Sequence, residues 1–557
     1  MTAPADAGGD AARRRPARRG LRLLAAASTG LALVLAFPGP DLGPVAFVAL
    51  VPLLLAVERL RPGRAAALGL LAGLVFFTIH LWWIDVFGLL ALGALSLAQA
   101  AFLAGFAALV PATRRLGNWR LLALPACWAT LELVRAHAPL GGFPWGILGL
   151  SQHGGGPLLP LARVVGVYGL SAVIVAVNLA VAEAVRRGLF TPEKPAGLRR
   201  LRPAGGWLAL AVALPFAGLA APAAPPADGP ALDLVAVQGN VPGIGRQDRP
   251  DQAQADAVTF ANHLRATEAL AGGPAPDLVV WGEGAANDDP TRNPELADGI
   301  RRAAAAARAP LLVGASTEAT PGRWSTEALL YDRDGRLTDR YAKRRLVPFG
   351  EYVPGGRVLR QLVPTTNQVG VDKHPGHRLA PLTVDGVRFG TIVCWESAYP
   401  EDARQLARDG ARFLVVITNN SSWGIAPGSA QHLATSQLRA VEQGRTVVHA
   451  AVSGISAVIS PDGVAHQRTG LYRQATVRAA VAPRAGLTPY ARFGRLFEWS
   501  LALLALLTLA AAVLLGLRAR RAGEPARLAA ASQPQAASAS AEPLTPRPQN
   551  VVSRGGP

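Results

Sequence analysis

Residues 390–397 read Gly-Thr-Ile-Val-Cys-Trp-Glu-Ser, and this stretch decides how the largest polar part of the chain is interpreted. An apolar run, typical of a buried β-strand, ends at Cys394, and a carboxylate follows at Glu396. The chain has two cysteines, and the other, Cys127, lies in an apolar, helix-like segment. A strand that ends in a lone thiol among charged residues suggests a nucleophile. On this stretch alone, a buried structural cysteine explains the pattern equally well.

The composition indicates a membrane protein that carries a polar insert. Hydrophobic residues make up 50% of the 557 residues, charged residues make up 17%, and the mean hydropathy is +0.25. The formal net charge is +19, but the basic residues cluster beside apolar runs, where the positive-inside rule places them. That distribution argues against nucleic-acid binding. Because each half of the chain holds one cysteine, a structural disulfide is not expected.

Eight apolar segments approach the length of about 17–25 residues that a membrane-spanning helix needs, although the second is short. They lie at about 21–37, 43–58, 65–84, 86–111, 120–137, 164–185, 206–222 and 497–517. Basic residues follow every second segment: Arg59, Arg61, Arg64; Arg114, Arg115, Arg120; Arg186, Arg187, Lys194, Arg199, Arg200, Arg202; Arg518, Arg520, Arg521. The alternate connections carry almost none, so these ends and the basic N-terminus (1–20) are predicted to be cytoplasmic. The long region between segments seven and eight is predicted to lie on the other side of the membrane.

A second kind of composition begins after a predicted linker at 223–230. From about 231 to 490, apolar runs typical of buried strands alternate with helical stretches. The predicted strands are Leu232–Gln238, Asp277–Trp281, Pro310–Ser316, Gly390–Cys394 and Arg412–Thr418; the predicted helices are Gln252–Leu270, Pro294–Ala307, Glu401–Arg408 and Ala430–Gly444. This alternation predicts an α/β layered domain of about 260 residues with its own core. The tail at 522–557, rich in Ala, Ser, Pro and Gln, is predicted to be disordered and cytoplasmic.

Other charged residues of this domain also flank apolar runs. Glu283 follows the strand predicted at Asp277–Trp281, and Lys343 precedes a short apolar turn that ends at Glu351. A thiol nucleophile needs a base, and a partly desolvated glutamate can serve. The oxyanion formed when a thiol attacks a carbonyl needs a positive or hydrogen-bonding partner, and a lysine suits that role. Taken singly, a solvated surface lysine and a glutamate that caps a helix are equally open interpretations.

Taken together, in the order Glu, Lys, Cys, these residues resemble the nitrilase superfamily of carbon–nitrogen hydrolases. The resemblance covers essentially the whole outer domain, and its motifs are Val-Trp-Gly-Glu at 280–283, Tyr-Ala-Lys at 341–343, Val-Pro-Phe-Gly-Glu at 347–351 and Val-Cys-Trp-Glu at 393–396, with further matches at 418–423, 439–445 and 453–456. Eight predicted spans with such a domain before the last one resemble the apolipoprotein N-acyltransferases. Residues 142–145, 151–152 and 237–242 match that family as well.

This resemblance implies an α-helical polytopic membrane domain of about eight spans joined to an αββα sandwich of the nitrilase type. It implies a multi-pass enzyme of the bacterial cytoplasmic (inner) membrane whose catalytic domain faces outward. The expected reaction moves an acyl chain from a phospholipid, through a thioester on Cys394, to the N-terminal amine of an S-diacylglyceryl-cysteine. Glu283 would deprotonate Cys394, and Lys343 would stabilise the oxyanion.

The resemblance also implies supporting residues and partners. Glu351 would orient Lys343 or assist proton transfer, with a structural ion pair as the alternative, and Trp395 and Glu396 would shape the pocket. The expected partners are a phospholipid donor and a diacylglyceryl-modified apolipoprotein acceptor, bound by a membrane-embedded monomer that does not bind nucleic acid. No cofactor is expected, because the sequence has no metal or nucleotide motif such as a P-loop or H-E-x-x-H.

Several positions depart from the family pattern, and two other functions stay open. Trp395 stands where tyrosine is common, Gly282 replaces a proline, no tryptophan follows Pro242, and the usual aspartate is missing after Asn420. These departures concern substrate binding rather than the reaction class. The alternatives are a membrane-tethered amidase or nitrilase-type hydrolase that uses water as acceptor, and a non-enzymatic scaffold. Eight spans exceed what a tether needs, and the intact Glu–Lys–Cys set argues against a scaffold.

Overall fold

A helical part and an inserted α/β domain make up the chain in the computed structural model, which describes residues 7–189, 202–241, 251–356, 360–361 and 370–531. The helical part contains α1 (Ala7–Leu35), α2 (Val51–Val57), α3 (Pro62–His80), α4 (Leu89–Ala112), α5 (Arg120–His137), α6 (Ala162–Leu189), α7 (Arg202–Ala213) and, after the α/β domain, α12 (Pro489–Ala531). Each of the eight predicted apolar segments coincides with helical structure. The helix α12 continues into the predicted tail as far as Ala531, and residues 532–557 lie outside the described residues, as do Lys194, Arg199 and Arg200.

The membrane character of the helical part is confirmed. Within the described part of the chain, four helical stretches are long and apolar enough to cross a membrane: Pro62–His80, Leu89–Ala112, Leu159–Gly188 and Pro489–Ala519. Gly43–Val57 and Ala204–Ala220 are apolar but shorter. Helices α1 and α5 differ from these four, because α1 begins with an arginine-rich run and α5 carries Glu132 and Arg135 in its interior. The number of spans therefore stays a prediction.

Small residues allow helices α3 and α4 to pack tightly against each other. A β-carbon on Gly69 would lie 2.5 Å from the Ala107 β-carbon, and one on Gly73 would lie 2.7 Å from Ala100 Cα. Gly69 and Gly73 are four residues apart and therefore share one face of the helix. Stripes of small residues are a common way for helices in membranes to approach each other closely.

The strands that the structure describes form two six-stranded mixed sheets. They are β1 (Leu232–Gln238), β2 (Leu278–Trp281), β3 (Leu311–Thr320), β4 (Arg323–Tyr331), β5 (Leu337–Ala342), β6 (Leu382–Val384), β7 (Val387–Val393), β8 (Leu414–Thr418), β9 (Val447–Ala451), β10 (Ala457–Ile459), β11 (Ala465–His466) and β12 (Ala475–Val481). The first sheet has the order β12-β1-β2-β3-β4-β5, and the second has the order β11-β10-β9-β8-β7-β6. Strands β1, β2 and β3 are parallel, and so are β7, β8 and β9.

The two sheets pack face to face, and helices cover their outer faces. The core between them is formed by Leu234, Val280 and Leu312 of the first sheet with Val393, Val415 and Val448 of the second. Helices α8 (Gln252–Glu268) and α9 (Pro294–Ala307) cover the first sheet, whereas α10 (Pro400–Arg408) and α11 (Gly428–Gln443) cover the second. The predicted layered α/β domain is confirmed as an α–β–β–α sandwich. Strands read as continuous apolar runs because both of their faces are buried.

Helix α11 lies between the second sheet and the helical part. All of its residues except Ala430 are buried. Leu433 and Ala440 pack in the core beneath the sheet, while Leu438 and Val441 belong to the core of the helical part. The turn after β7 joins the same core through Trp395 and Tyr399. The end of β7 is therefore in direct contact with the membrane half of the protein.

Candidate active site

The parallel strands deliver polar side chains to one edge of the sandwich. Glu283 follows β2 of the first sheet, and Cys394 directly follows β7 of the second. Asn419 follows β8, and Lys343 follows the antiparallel strand β5. The site thus takes residues from both sheets, which explains why they are so far apart in sequence.

Lys343 joins two of the predicted glutamates. Its Nζ lies 2.9 Å from Glu283 Oε1 and 2.9 Å from Glu351 Oε2, and the Lys343 side chain is 1% exposed. Burial favours the neutral amine, but the charges of Glu283 and Glu351 outweigh it and hold the pKa of Lys343 well above its usual value. Lys343 is therefore an ammonium at neutral pH, with its charge shared between two carboxylates.

Backbone N–H groups hold both glutamates in place. The Asn419 backbone N–H donates to Glu283 Oε2 at 3.1 Å, and the Val347 N–H donates to Glu351 Oε2 at 2.9 Å. Burial alone would raise the pKa of Glu351, but the charges of Lys343 and Lys373 lower it. Each carboxylate oxygen has two lone pairs, so Glu283 retains the capacity to accept one more proton or hydrogen bond.

Cys394 occupies a strained position at the turn that ends β7. Its φ of 49° is in the left-handed region, which residues other than glycine seldom adopt, and the next turn is a 3-10 helix, Cys394–Ala398. The carbonyl oxygen of Cys394 lies 3.0 Å from His432 Nε2 of α11. Because a carbonyl only accepts, this nitrogen carries the proton. Burial lowers the pKa of His432 to about 4, so the ring is neutral. Strain of this kind commonly accompanies a functional residue.

The Cys394 thiol is protonated in the resting protein. Burial raises its pKa to about 12, and the negative charge of Glu283 acts in the same direction. The Lys343 charge and a hydrogen bond with Thr418 oppose this shift without cancelling it. A thiol in this state becomes nucleophilic only when a neighbouring base removes its proton during attack.

The raised thiol pKa predicts how alkylation depends on pH. In a Cys127→Ala variant, Cys394 is the remaining thiol. Because its folded pKa is about 12, the thiolate fraction should grow about tenfold per pH unit between pH 7 and pH 10. Peptide mass spectrometry after timed exposure to iodoacetamide measures this rate. A rate that levels off below pH 9 would contradict the assignment, because it would reveal a thiolate with an ordinary or lowered pKa.

Glu396 connects the turn that begins at Cys394 to the segment around Lys343, at the end of β5. Its carboxylate accepts hydrogen bonds from the Tyr341 hydroxyl at 2.9 Å, the Arg344 N–H at 2.7 Å and the Val393 N–H at 2.9 Å. Burial, and next the charge of Asp402, raise its pKa to about 7. The residues before and after Cys394 are thus tied to the segment that carries Lys343. The structure places Glu396 as a brace between the sheets.

Trp395 faces the helical part within an aromatic junction, the cluster of Trp83, Trp145, Trp395 and Trp423. The rings of Trp395 and Trp145 stack with centroids 5.5 Å apart and planes 4° apart. Gln431 Oε1 accepts the indole N–H groups of Trp83 at 3.0 Å and Trp145 at 2.7 Å. The residue after Gln431 is His432, which contacts the Cys394 carbonyl. Sequence reasoning missed Gln431 and His432, because an uninterrupted buried helix gives no local signal of such contacts.

Breaking the junction at Gln431 is expected to slow the acylation of Cys394 that the family resemblance implies. In a Gln431→Leu variant, two buried indole N–H groups lose their acceptor, at about 1–3 kcal/mol of stability each. Displacement of Trp145 would release the Trp395 stack, and small misplacements of reacting groups can lower rates about 100-fold. The measurement is the rate at which label passes to the protein from a labelled phospholipid, the acyl donor that the resemblance implies.

Gln437 on the same helix provides a matched control. Its amide donates to the His153 carbonyl at 3.2 Å and to the Gly463 carbonyl at 2.7 Å, outside the aromatic junction. Gln437→Leu should lower the melting temperature similarly but leave the acylation rate nearly unchanged. Equal rate losses in the two variants would mean that the junction acts on stability alone.

Comparisons with known proteins match both parts of the chain. The family described as "Apolipoprotein N-acyltransferase N-terminal domain" matches residues 29–180, and "Carbon-nitrogen hydrolase" matches residues 243–490. A protein of Geobacter metallireducens is 32% identical over 86% of this chain and 92% of its own length. A Gloeobacter violaceus protein is 34% identical over 88% and 94%, and an Azotobacter vinelandii protein is 33% identical over 90% and 97%. All three carry the name apolipoprotein N-acyltransferase.

Proposed function

The chain belongs to the apolipoprotein N-acyltransferase family, and from this premise we propose that it transfers an acyl chain from a membrane phospholipid to the N-terminal amine of a diacylglyceryl-modified lipoprotein. The observation that carries the proposal is the buried Lys343, which lies 2.9 Å from Glu283 and from Glu351 at the edge of the sandwich where β7 ends in Cys394. This set suits acyl transfer because it combines a thiol, a base and a fixed cation.

In the proposed first step, the Cys394 sulfur attacks the sn-1 ester carbonyl of the phospholipid. The carbon–sulfur bond forms as Glu283 takes the thiol proton, and the Lys343 ammonium stabilises the negative charge on the carbonyl oxygen. The ester carbon–oxygen bond then breaks, and Glu283 returns the proton to the departing lysophospholipid. Glu351 keeps Lys343 oriented and charged during this step.

In the second step, the lipoprotein's α-amino group attacks the thioester. The carbon–nitrogen bond forms, the carbon–sulfur bond breaks, and a proton from the amine passes through Glu283 to the departing thiolate. A thioester is reactive enough to acylate an amine, so the intermediate divides one difficult transfer into two easier ones. The buried setting of Cys394, which is 7% exposed, supports exclusion of water, the competing acceptor.

The proposal includes the placement in the membrane. Eight spans (seven within 21–222 and one at 497–517) would hold the catalytic domain, 231–490, outside the bacterial inner membrane, with 1–20 and 522–557 in the cytoplasm and the protein acting as a monomer. The basic residues at one end of the helical part support this orientation. Reporter fusions after Arg202 should report a cytoplasmic position, and fusions within 231–490 an external one. The reverse pattern would overturn the orientation.

The acceptor distinguishes the proposed transferase from a hydrolase. Purified protein in detergent micelles is given a phospholipid labelled in the sn-1 chain, with or without a peptide that begins with S-diacylglyceryl-cysteine. We expect labelled N-acyl peptide in a one-to-one ratio with lysophospholipid, and little free fatty acid. Labelled free fatty acid in amounts that the peptide does not reduce would instead assign a water-using hydrolase. A peptide whose N-terminus is already acetylated is the control, and it should accept nothing.

A further inference from the structure

A second charged site lies at the opposite end of the helical part from the α/β domain. It is a cavity of about 440 Å³, here called the arginine cavity, whose basic lining consists of Arg114, Arg115, Arg120, Arg186 and Arg187. The volume is within the range of about 300–1,000 Å³ typical of ligand pockets. None of these residues belongs to the acyl-transfer site.

The position of the cavity follows from helix α5. Arg120 at its first turn lines the cavity, whereas His137 at its last turn contacts Glu401 of the α/β domain at 2.9 Å. A helix of 18 residues is about 27 Å long, close to the thickness of the hydrocarbon core of a bilayer. The arginine cavity therefore lies at the membrane face opposite to the α/β domain.

Two glutamates hold part of the arginine set in place. Arg120 donates to both Glu58 oxygens at 2.9 Å, and Arg187 Nε lies 2.6 Å from Glu183 Oε1. The side chains of Glu58 and Glu183 are only 12% and 14% exposed. The positions of the guanidinium groups are thus fixed before any ligand arrives, which lowers the entropy lost on binding.

Positive charge remains in excess after this pairing. Among the described residues, the cavity lining has five arginines and two glutamates, an excess of three positive charges. The Nε of Arg114 lies 3.7 Å from Glu58 Oε1, and the Arg114 side chain is 50% exposed. The neighbouring residue, Arg115, is also exposed. Guanidinium groups bind phosphate through paired N–H donors. The chemistry of the excess charge therefore suits a phosphate-bearing anion.

The walls distinguish a lipid from free phosphate. Leu121, Leu179 and Trp207 line the same cavity, and the Arg187 guanidinium lies 5.1 Å from the centre of the Trp207 ring. Tryptophan and apolar residues next to arginines are the usual surroundings of a lipid at the membrane interface. Basic pockets between membrane helices bind anionic headgroups elsewhere. A water-soluble phosphate would gain nothing from the apolar walls.

We propose that the arginine cavity binds the headgroup of an anionic phospholipid in the leaflet opposite to the α/β domain. This lipid is separate from the acyl donor, because about 27 Å of helix separates the cavity from the end of the helical part that contacts the α/β domain, where Cys394 lies. The inference does not depend on the proposed function, since it rests on the cavity, its charge and its walls.

Native mass spectrometry of the full-length protein in mild detergent tests the proposal. The protein is titrated with phosphatidylglycerol, phosphatidylcholine and inorganic phosphate in separate arms. We expect phosphatidylglycerol to be retained at least about tenfold more tightly than phosphatidylcholine, as one additional charge-assisted contact implies, and phosphate not to bind. Equal retention of the two lipids overturns the proposal, and tight binding of inorganic phosphate overturns the lipid assignment.

Variants locate the lipid. Arg114→Gln combined with Arg115→Gln should reduce phosphatidylglycerol retention at least about tenfold. Arg61→Gln combined with Arg64→Gln removes the same charge outside the cavity, and this control should retain the lipid as the wild type does. Equal losses in both double variants would show a diffuse surface effect and overturn the site. If the cavity variant does not fold, the comparison of lipids on the wild-type protein still decides the outcome.

Discussion

A Cys394→Ala variant is expected to form no acyl-enzyme and to lose all measurable acyl transfer while still folding. The substitution removes one sulfur atom from a residue that is 7% exposed. Among the described residues, no backbone hydrogen bond is made to that sulfur. The proposed nucleophile, however, has no replacement, because each step of the proposed transfer passes through a bond to this sulfur. The expected loss is complete rather than partial.

The other cysteine offers the matched control for this experiment. Cys127 is buried in α5, within the helical part. After incubation with a phospholipid labelled in its acyl chain, the wild type and Cys127→Ala should both carry label that neutral hydroxylamine releases. Cys394→Ala should carry none. Label that persists in Cys394→Ala, or that disappears in Cys127→Ala, would rule out the proposed thioester.

The second large effect is expected at Lys343. Replacing it by methionine keeps the length of the side chain but leaves Glu283 and Glu351, each 12% exposed, without the cation that lies 2.9 Å from both. Removing one member of a buried ion pair typically costs about 3–5 kcal/mol of stability. Loss of an oxyanion donor typically lowers the rate about 100- to 1,000-fold. Lys343→Met should therefore be both less stable and nearly inactive.

A double variant separates these two effects. Adding Glu351→Gln to Lys343→Met removes one uncompensated negative charge and should recover much of the melting temperature, but not the activity. Lys373→Met is the matched single change, because Lys373 acts on Glu351 only through its charge and donates its hydrogen bond to Thr326 Oγ1 at 2.7 Å. It should retain most of the acylation rate. If the double variant recovers its activity together with its stability, Lys343 is structural and the oxyanion role is wrong.

The sequence predicted the parallel core of the α/β domain closely. Strand β1 and helix α9 have the predicted bounds, and β2, β7 and β8 differ by a few residues, because continuous apolar runs buried on both faces are easily recognised. The antiparallel strands gave weaker signals. Strands β10 and β11 have three and two residues, and β12 exposes or half-exposes five of its seven residues. Their pairing depends on neighbours that are distant in sequence.

The candidate site was predicted from residues at strand ends and from the family resemblance. Contacts that do not involve strand ends were not predicted. Glu283, Lys343 and Cys394 each follow a strand or precede a turn, so their meeting at one edge could be anticipated. The contact of Trp395 with Trp145 could not, because it joins a domain turn to a loop of the helical part. Gln431 likewise contacts residues of the other part of the protein, and His432 follows it in the same buried helix. No periodicity in the local sequence predicts these contacts.

Because the residues of the site come from two separate sheets, a newly synthesised chain can form the site only after both sheets have packed together. Glu283 follows a strand of the first sheet and Cys394 a strand of the second, and Glu396 braces the two near Lys343. Until both sheets have met, the Cys394 thiol has neither Glu283, its proposed base, nor Lys343, its proposed cation, beside it. Under the proposed mechanism, a partly folded molecule would therefore be inactive, and it would not cleave the phospholipids of the membrane into which it is being inserted. The proposed acyl transfer from phospholipid would begin only after the two sheets have packed against each other.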